Sequence, residues 1–428
     1  MTGARSMERP VHVAGRSGAP VAARFPPSDR RWPQYEPDEI GAVVRVLASG
    51  RVNSLVHGDE CRAFEREFAD YCGMPHAISL ANGTLALELA LRALGVGAGD
   101  EVIVPARSFF ASASAVAAVG AAPVFADIDA NSHTIDPACI EPLIGTRTKA
   151  ILCVHLAGWP CDMDALGAIA AHHGLWLIED CAQAHGAAFR GRKTGSFGHA
   201  AAFSFCTDKI MSTGGEGGML LLKDEAHWRL AWAYKDHGKN IATLSAPSPG
   251  NAFRYLHESF GTNWRMTEMQ AAIGRAQLRK LPDWLTRRRA NAELLRRGLR
   301  GHPLVQLPVI PEGVDHAFYK FYLMLDGRHF APGKGRTDII AVLNDRGIPA
   351  GTGSCPDMSQ ELAVRNSAHP NRQPLPVAAQ VGERSLMLCV DHLLDAQAMD
   401  LTVDTLIEAL DGTYDPDASQ PFSNDVTP

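Results

Sequence analysis

Between residues 75 and 222 the chain alternates short apolar runs with helix-forming segments, and this alternation restricts its fold more than any other feature. The predicted strands cover residues 76–80, 101–104, 123–126, 149–155, 175–178, 201–205 and 219–222. They are continuous apolar runs, which is typical of parallel strands buried on both faces. The clearest helices between them are predicted over residues 84–94, 111–119 and 163–173. We therefore predict an α/β fold with a mainly parallel sheet between helices, and ligands beyond the carboxyl ends of its strands.

The length of the chain predicts more than one structural unit. Its 428 residues exceed what one ordinary compact core requires, so we expect a large domain with a smaller one attached. We assign the large domain to residues 31–285 and a small C-terminal α+β domain to residues 286–412. Residues 1–30 and 413–428 are expected to be a disordered arm and tail, because they contain few apolar residues to bury.

The second half of the chain has a less regular pattern. Helices are predicted over residues 266–278 and 284–297, and the basic run in the second of them is interpreted as a solvated helix face. The clearest strand of the small domain is predicted at residues 318–325, followed by a helix at 338–345. Residues 354–376 are polar and contain prolines, which predicts a loop.

The charge and hydropathy of the chain argue against two classes of partner. The formal net charge is −6, whereas a nucleic-acid-binding protein normally carries a basic excess, so no nucleic-acid partner is expected. No stretch approaches the ~18 apolar residues that a membrane span needs, so no membrane partner is expected. The first thirty residues lack the apolar core of a secretory signal. Their basic character leaves a transit peptide as the alternative to a floppy arm.

Cysteine usage indicates a reducing compartment. The chain has nine cysteines, an odd number, and no CxxC pair, which is typical of a cytoplasmic protein whose thiols act as small core residues. Cys153, His155 and Cys161 could be grouped as a metal cluster, but a fourth ligand and a zinc-type spacing are missing. We therefore predict no metal site.

A glycine-containing turn is the first candidate element of a functional site. Asn82, Gly83 and Thr84 lie between a predicted strand and a predicted helix. Glycine lets another backbone or a ligand approach closely, and a helix start offers unpaired N–H groups, so the turn suits a phosphate. Such turns also commonly just cap a helix. Neither GxxxxGK[ST] nor GxGxxG occurs, so a nucleoside triphosphate or a dinucleotide is not indicated.

Two carboxylates and a lysine complete the candidate chemistry. Glu179 and Asp180 end an apolar strand, where one of them can pair with a cation in a cleft; the alternative is an acidic surface turn. Lys209 lies four residues beyond another buried strand and just before a glycine-rich turn at residues 213–218. A buried lysine becomes a nucleophile able to form a Schiff base, whereas the alternative is a surface lysine with a packed stem. A phosphate, a cationic ring nitrogen and an aldehyde together indicate pyridoxal phosphate (PLP).

From about Trp32 to about Leu410 the chain resembles the DegT-type sugar aminotransferases, a branch of the fold-type-I PLP enzymes. The segments that carry the resemblance are NGTLALELAL, GDEVIVP, IEDCAQAHGA, FSF with Lys209, GGEGG and GTNWRMTEMQAAIG. The resemblance implies a fold-type-I PLP transferase. A minority branch of the family has His at the position of Lys209 and performs dehydration, so Lys209 favours amino transfer.

The resemblance also implies roles for single residues. Lys209 would bind the cofactor covalently and move the proton, and Asp180 would bind the pyridinium nitrogen, so these two are the predicted catalytic residues. Gln183 would hydrogen-bond the ring hydroxyl. Phe109 would stack on the ring, unless it is only a core residue beside Phe110.

The remaining predicted ligands hold the phosphate. The resemblance implies that Gly83, Thr84 and Ser204 do so, joined by Asn263 from a neighbouring subunit. A homodimer with shared active sites is therefore expected.

The expected activity is transfer of an amino group, with glutamate as donor, to a keto group of a nucleotide-linked deoxysugar. The family also contains transaminases of cyclitols and of an aminobenzoate precursor, which remain alternatives. So do a PLP-dependent sugar dehydratase and a non-catalytic regulator on the same fold. His316, Tyr319 and Lys320 belong to a segment that could reach the substrate or could simply form a strand of the small domain.

Overall fold

The structure is a computed structural model that describes residues 25–247, 253–369 and 373–418. Its helices are α1 Pro37–Ser49, α2 Asp59–Cys72, α3 Gly83–Ala93, α4 Ala111–Ala118, α5 Met163–His173, α6 Glu225–Lys235, α7 Ile241–Ser245, α8 Glu268–Leu299, α9 Arg336–Asp345, α10 Leu362–Arg365, α11 Pro376–Arg384 and α12 Ala396–Asp411. Its strands are β1 His76–Leu80, β2 Glu101–Pro105, β3 Ala122–Ala126, β4 Thr148–Val154, β5 Trp176–Asp180, β6 Ala188–Phe189, β7 Arg192–Lys193, β8 Ala200–Ser204, β9 Gly218–Leu222, β10 Val305–Gln306, β11 Val314–Asp315, β12 Phe321–Leu325, β13 Ala350–Gly351 and β14 Ser385–Leu388.

The central sheet has the strand order β1-β9-β8-β5-β4-β2-β3. Strand β9 pairs antiparallel with both of its neighbours, and the other pairs are parallel. Alternate side chains enter different cores: Ile78 and Leu80 pack with α3 and α4 on one face, whereas Ala77 packs with α2 and α8 on the other. Burial on both faces explains why the strands are continuous apolar runs. The predicted mainly parallel α/β architecture is confirmed.

Helix α3 fixes the turn at the carboxyl end of β1. The Asn82 side chain accepts a hydrogen bond from Leu85 N at 3.0 Å and so caps the helix. Most of the Leu and Ala residues of α3 are buried between the sheet, α4 and α6. The start of the helix is therefore held firmly at the edge of the sheet, with Gly83 as its first residue.

The prediction of two separate helices over residues 266–278 and 284–297 is wrong, because α8 is one continuous helix that includes Pro282. Proline in a helix interior removes one hydrogen bond and costs about 3 kcal/mol. Packing of α8 against α1, α2 and α12 along its length offsets that cost. The prediction of two helices therefore missed these long-range contacts.

Helix α8 also passes from one core to the other. Leu281 and Leu285 pack with the large-domain core, whereas Ala292 and Leu295 pack with the small-domain core. The small domain is built on the sheet β10-β12-β14-β13, covered by α9 and α12. The domain limits 31–285 and 286–412 remain predictions. The predicted loop at 354–376 contains the short helix α10.

The described parts of the predicted disordered ends are packed. Phe25 is buried in the small-domain core, and residues 28–30 form a 3₁₀ turn. Thr413 donates a hydrogen bond to Leu410 O at 2.9 Å, and Tyr414 bridges to Phe330. Disorder is therefore the wrong expectation for residues 25–30 and 413–418. Residues 1–24 and 419–428 lie outside the described residues. Within the described ranges, no helix is long and apolar enough to cross a membrane.

Candidate active site

A cleft of about 730 Å³ opens where the carboxyl edge of the central sheet faces the small domain. Its volume is in the range of sites for small molecules. The predicted site residues that line it are Gly83, Thr84, Phe109, Asp180, Gln183, Ser204 and Lys209. They lie at the ends of β5 and β8 or in the segments that follow β1, β2, β5 and β8, and these strands end at the same edge of the sheet. The fold therefore brings together residues spread over more than a hundred positions of the chain.

The turn at Gly83 forms a cradle that suits a phosphate. A Cβ atom at Gly83 would lie 2.6 Å from Ser204 Cβ, so only glycine permits this approach. Thr84 is exposed, and the Ser204 hydroxyl accepts a long 3.4 Å hydrogen bond from Cys206 N. Gly83, Thr84 and Ser204 line the cleft at the start of α3, where unpaired N–H groups favour an anion.

Replacing Gly83 by alanine should disturb this cradle. Overpacking at a tight site costs about 1–3 kcal/mol, so we expect the free energy of unfolding to fall by that amount. We also expect PLP affinity to fall about ten-fold or more, the equivalent of 1.4 kcal/mol. Chemical denaturation and a PLP titration of the apoprotein measure the two effects.

Gly167→Ala is the matched control, because a Cβ at Gly167 in α5 has no heavy atom within 4 Å. Alanine is favoured over glycine in helices, so this variant should bind PLP normally and be at least as stable as the parent. Normal PLP affinity in Gly83→Ala would contradict the cradle.

Asp180 is buried at the end of β5, with 5% of its surface exposed. Its carboxylate accepts hydrogen bonds from Ala182 N at 3.1 Å and from the Ser112 hydroxyl at 2.8 Å, and Ser112 in turn contacts the Ser108 hydroxyl at 2.9 Å. Burial raises the pKa of Asp180 above its ordinary value, although these hydrogen bonds and the charge of Lys209 oppose the shift. A cation bound against the carboxylate would favour its charged form.

Lys209 is held in the cleft by its own loop and by the N-terminal segment. Trp32 Nε1 donates to the Lys209 carbonyl at 2.7 Å, and Lys209 N donates to Cys206 O at 3.1 Å. The side chain is 12% exposed, and its Nζ lies 3.7 Å from Asp208 Oδ1 and 4.9 Å from the ring centroid of Tyr319. Lys209 therefore points into the cleft rather than along the outer surface.

Gln183 and Phe109 complete the predicted contacts of a ring. The Gln183 side-chain oxygen accepts a hydrogen bond from Ala157 N at 2.7 Å, so its amide nitrogen is the group left to donate to a ring oxygen. Phe109 lines the cleft and is 66% exposed, whereas Phe110 packs against the core. The alternative that Phe109 is a core residue is therefore wrong.

Glu179 is the carboxylate that does not reach the cleft. It is fully buried and lies 2.9 Å from His155 Nε2, and it also accepts hydrogen bonds from the backbone N–H groups of Gly195, Phe197 and Gly198. Burial works against its ionisation, but His155 and these N–H groups hold the pKa of Glu179 below its ordinary value. Glu179 therefore belongs to a buried hydrogen-bond network with His155 and not to the lining of the cleft.

A metal site has little support in this region. His155, Glu179 and Cys181 could together present ligand atoms within 4.8 Å of one another. However, His155 Nδ1 accepts a hydrogen bond from Cys161 N at 3.0 Å, and Nε2 is bonded to Glu179. Both ring nitrogens are therefore already engaged, as expected of a structural cluster.

Residues of the small domain form one wall of the cleft, and the sequence alone left open whether they would reach it. Tyr319 and Lys320 line the cleft, and so do Tyr322, Ser354 and Met387. The Tyr319 hydroxyl donates to the Asp208 carboxylate beside Lys209. Tyr319 and Lys320 lie within the strand predicted at 318–325 but just before the observed β12, and the structure places both of them in the site. His316 is buried and lines a separate cavity.

Asn263 is the predicted ligand that does not line the cleft of its own chain. It is exposed and bridges to Asp236, which is buried and bound by Lys235 at 3.2 Å and by Arg265. These ion pairs fix the loop while leaving Asn263 on the surface. Such a position is compatible with a ligand supplied to another copy of the chain.

Comparison with known proteins identifies the class and then the family. The dTDP-3-amino-3,4,6-trideoxy-alpha-D-glucose transaminase of Streptomyces venezuelae is 42% identical over 287 residues, 67% of this chain and 72% of that protein. The L-glutamine:2-deoxy-scyllo-inosose aminotransferase of Streptoalloteichus tenebrarius is 41% identical over 317 residues, 73% of this chain and 74% of that protein. The crystal structure of an aminotransferase from Psychrobacter cryohalolentis superimposes with a TM-score of 0.87 at 46% identity, covering 91% of this chain and 99% of that one.

The central sheet, the cleft at its carboxyl edge and these structural neighbours define a fold-type-I PLP-dependent transferase. The chain belongs to the DegT/DnrJ/EryC1/StrS aminotransferase family, whose model matches residues 33–407. It is therefore an aminotransferase, and its relatives act on sugars or sugar-like rings.

Proposed function

We propose that the protein uses PLP to move an amino group from glutamate to a keto group of a nucleotide-linked deoxysugar. The observation that carries the proposal is the placement of Lys209 and Asp180 in one cleft beside the cradle at Gly83. The relative from Streptomyces venezuelae, whose name describes a transaminase of a dTDP-linked sugar, supports the acceptor class.

The residues of the cleft fit PLP by their chemistry. Gly83, Thr84 and Ser204 would hold its phosphate, Asp180 would pair with its ring nitrogen, and Lys209 would bind its aldehyde carbon. When bound, PLP supplies the aldehyde that takes up the amino group and a ring that withdraws electrons from the reacting carbon.

Side chains of the protein would move the proton of the donor Cα. Lys209 Nζ would be the group placed to take a proton from the donor Cα and to return it to the carbon that receives the amine. Asp180 would favour a protonated ring nitrogen, because a carboxylate in a dry site stabilises a facing cation. The hydroxyl of Ser112 orients that carboxylate.

An amine-transfer screen tests the proposal. Purified protein is supplied with glutamate or glutamine and a panel of nucleotide-linked keto sugars, and products are detected by mass spectrometry as an exchange of a keto oxygen for an amine. Transfer to at least one nucleotide-linked keto sugar is expected. Transfer only to free cyclitol ketones would replace the proposed acceptor with the second candidate, which the 41% identity to a scyllo-inosose aminotransferase favours.

We also propose a homodimer with shared active sites. The segment before Asn263 carries Phe253, Tyr255 and Phe260, which are 80%, 88% and 98% exposed. Helix α1 adds exposed Ile40, Val44 and Leu47. Large exposed apolar side chains next to a fixed polar loop favour burial against a second copy of the chain. That copy would receive Asn263 at its own phosphate cradle.

Mixing two inactive variants should restore activity if sites are shared. Every site in a Lys209→Ala dimer lacks the lysine, and every site in an Asn263→Ala dimer lacks the asparagine supplied by the other subunit. The test requires that Asn263→Ala alone is substantially impaired. A mixed dimer has one site with both lesions and one with neither, so random exchange should recover about a quarter of wild-type activity. Steady-state transfer rates after subunit exchange give the measurement.

The control is Asn366→Ala mixed with Lys209→Ala. Asn366 is an exposed asparagine at the end of α10, so its variant should be active before and after mixing. No recovery in the Asn263 mixture, despite exchange shown by native mass spectrometry, would mean that each site is built within one chain.

A further inference from the structure

The small domain places the ammonium group of Lys320 in the cleft, and no predicted cofactor contact uses this cation. We infer that Lys320 binds a carboxylate of the amino donor. This inference rests on the proposed function, because it assigns a residue to the donor of that reaction. Lys320 immediately precedes β12 and lines the same cleft as Lys209 and Asp180.

Among the described residues Lys320 forms no ion pair within 4.0 Å, although its positive charge helps to lower the pKa of Asp208. Its Nζ lies 3.7 Å from Cys389 Sγ and 5.1 Å from the ring centroid of Tyr319. Neither is an ionic partner, since a thiol is a weak acceptor and an aromatic ring offers a modest attraction. Asp208 is the nearby acid, and it is engaged by the Tyr319 hydroxyl and by Lys209. An incoming anion would therefore find Lys320 available.

The distance from Lys320 to the reacting centre suits an amino acid. Lys209 Nζ and Lys320 Nζ lie 4.9 Å and 5.1 Å from the same ring centroid, so they are no more than about 10 Å apart. A bound donor would place its nitrogen near the position of Lys209 Nζ. The donor's carboxylates are attached to the reacting carbon or two carbons beyond it, so Lys320 is within their reach.

The acidic lining of the cleft favours a cation where an anionic donor binds. Asp180, Asp208 and Glu216 all line the cleft and repel such a donor. Arg31 and Arg288 line an adjoining cavity, which shares Asp208, Tyr319 and Lys320 with the cleft. An ammonium on the cleft wall offsets the repulsion and forms a charge-assisted hydrogen bond with a carboxylate.

A phosphate of the acceptor is the other anion that could bind Lys320. In a nucleotide-linked sugar the phosphates are attached away from the keto carbon that reacts, whereas a donor carboxylate is bonded directly to the reacting carbon of the donor. A cation this close to Lys209 therefore favours the donor. The following experiment has one arm for each anion.

Binding of two unreactive anions to the holoenzyme distinguishes a donor carboxylate from an acceptor phosphate as the ligand of Lys320. Glutarate carries the carboxylates of glutamate without its amine, and inorganic pyrophosphate represents the acceptor's phosphates. By calorimetry, Lys320→Met should weaken glutarate binding about ten-fold or more, the scale of a charge-assisted contact, and leave pyrophosphate binding unchanged. Weakened pyrophosphate binding with unchanged glutarate binding would overturn the inference.

The two half-reactions give a second readout. In Lys320→Met the glutamate concentration that gives half the maximal rate of cofactor conversion should rise about ten-fold, with the maximal rate nearly kept. Amine transfer from the pyridoxamine form to the keto sugar should be unaffected. Lys320→Arg should restore most of the glutarate affinity, because it keeps the positive charge.

Lys149→Met is the control, because Lys149 is exposed near the amino end of β4, at the opposite edge of the sheet. It should behave as wild type in every assay. If wild-type protein fails to react with glutamate, the proposed donor is wrong, whereas the inference about Lys320 fails if Lys320→Met and wild type bind glutarate equally.

Discussion

The Lys209→Ala protein should lose amino transfer by at least about 10³-fold, since a positioned acid–base group alone contributes roughly 10²–10⁴. Alanine removes both the nitrogen that would hold the cofactor and the group that would move the proton. The Lys209 side chain lies inside the cleft, where Asp208 and Tyr319 confine it, so a neighbouring lysine does not occupy the same point. Single-turnover and steady-state rates at saturating donor measure the loss.

Borohydride reduction locates the attachment independently of activity. It should fix a pyridoxyl label on the peptide that contains Lys209 and leave Lys209→Ala unlabelled. Lys149→Ala, which changes an exposed lysine at the far edge of the sheet, should keep both the label and full activity. A label on a different lysine would contradict the assignment.

The large-domain residues of the cleft could be predicted from the sequence, because each of them follows a strand that is recognisable from its local apolar pattern. Gly83, Asp180 and Lys209 each lie within a few residues of the end of an apolar strand. Carboxyl ends of parallel strands meet at one edge, so recognising the strands also indicated which side chains would meet. The sequence argument placed one of the two carboxylates in a cleft, and the structure shows that Glu179 is the other: its side chain alternates to the opposite face of β5 and binds His155.

The other half of the cleft depends on how the small domain docks. Tyr319 and Lys320 follow Lys209 by more than a hundred residues, and no local spacing relates them to it. Ser112, which orients Asp180, lies in a helix of small residues whose sequence predicts only packing. The continuous helix α8 was missed for the same reason, since the contacts that tolerate Pro282 come from distant elements.

These two halves divide the proposed chemistry between the domains. The large domain supplies groups that would hold a cofactor, and the small domain adds Tyr319 and Lys320 to the lining of the same cleft. A change in substrate can therefore arise in the small domain without disturbing Asp180 or Lys209. This separation is consistent with relatives of similar sequence whose names describe transfer to different sugars or rings.

Asp180→Asn should slow amino transfer by at least about 100-fold while the fold is retained. Asparagine has nearly the same shape, and its side-chain oxygen can still accept the Ala182 N–H that Asp180 accepts at 3.1 Å. What it removes is the negative charge that would face the ring nitrogen of bound PLP. Breaking a buried charge pair on one side costs about 3 kcal/mol or more, and each 1.36 kcal/mol in the barrier is ten-fold in rate. Stopped-flow spectroscopy of the glutamate half-reaction measures the rate directly.

Ser112→Ala distinguishes the effect of the charge of Asp180 from the effect of how its carboxylate is oriented. It removes the 2.8 Å hydrogen bond to Asp180 Oδ2 but leaves the carboxylate in place. A hydrogen bond to a charged group is worth about 1.5–3 kcal/mol, so Ser112→Ala should slow the same step less than Asp180→Asn and leave the absorbance of the bound cofactor nearly unchanged. The Asp180→Asn spectrum should shift, because a neutral partner no longer favours a protonated ring nitrogen. Near-normal turnover in Asp180→Asn, with PLP bound and a native circular dichroism spectrum, would show that another group protonates the ring.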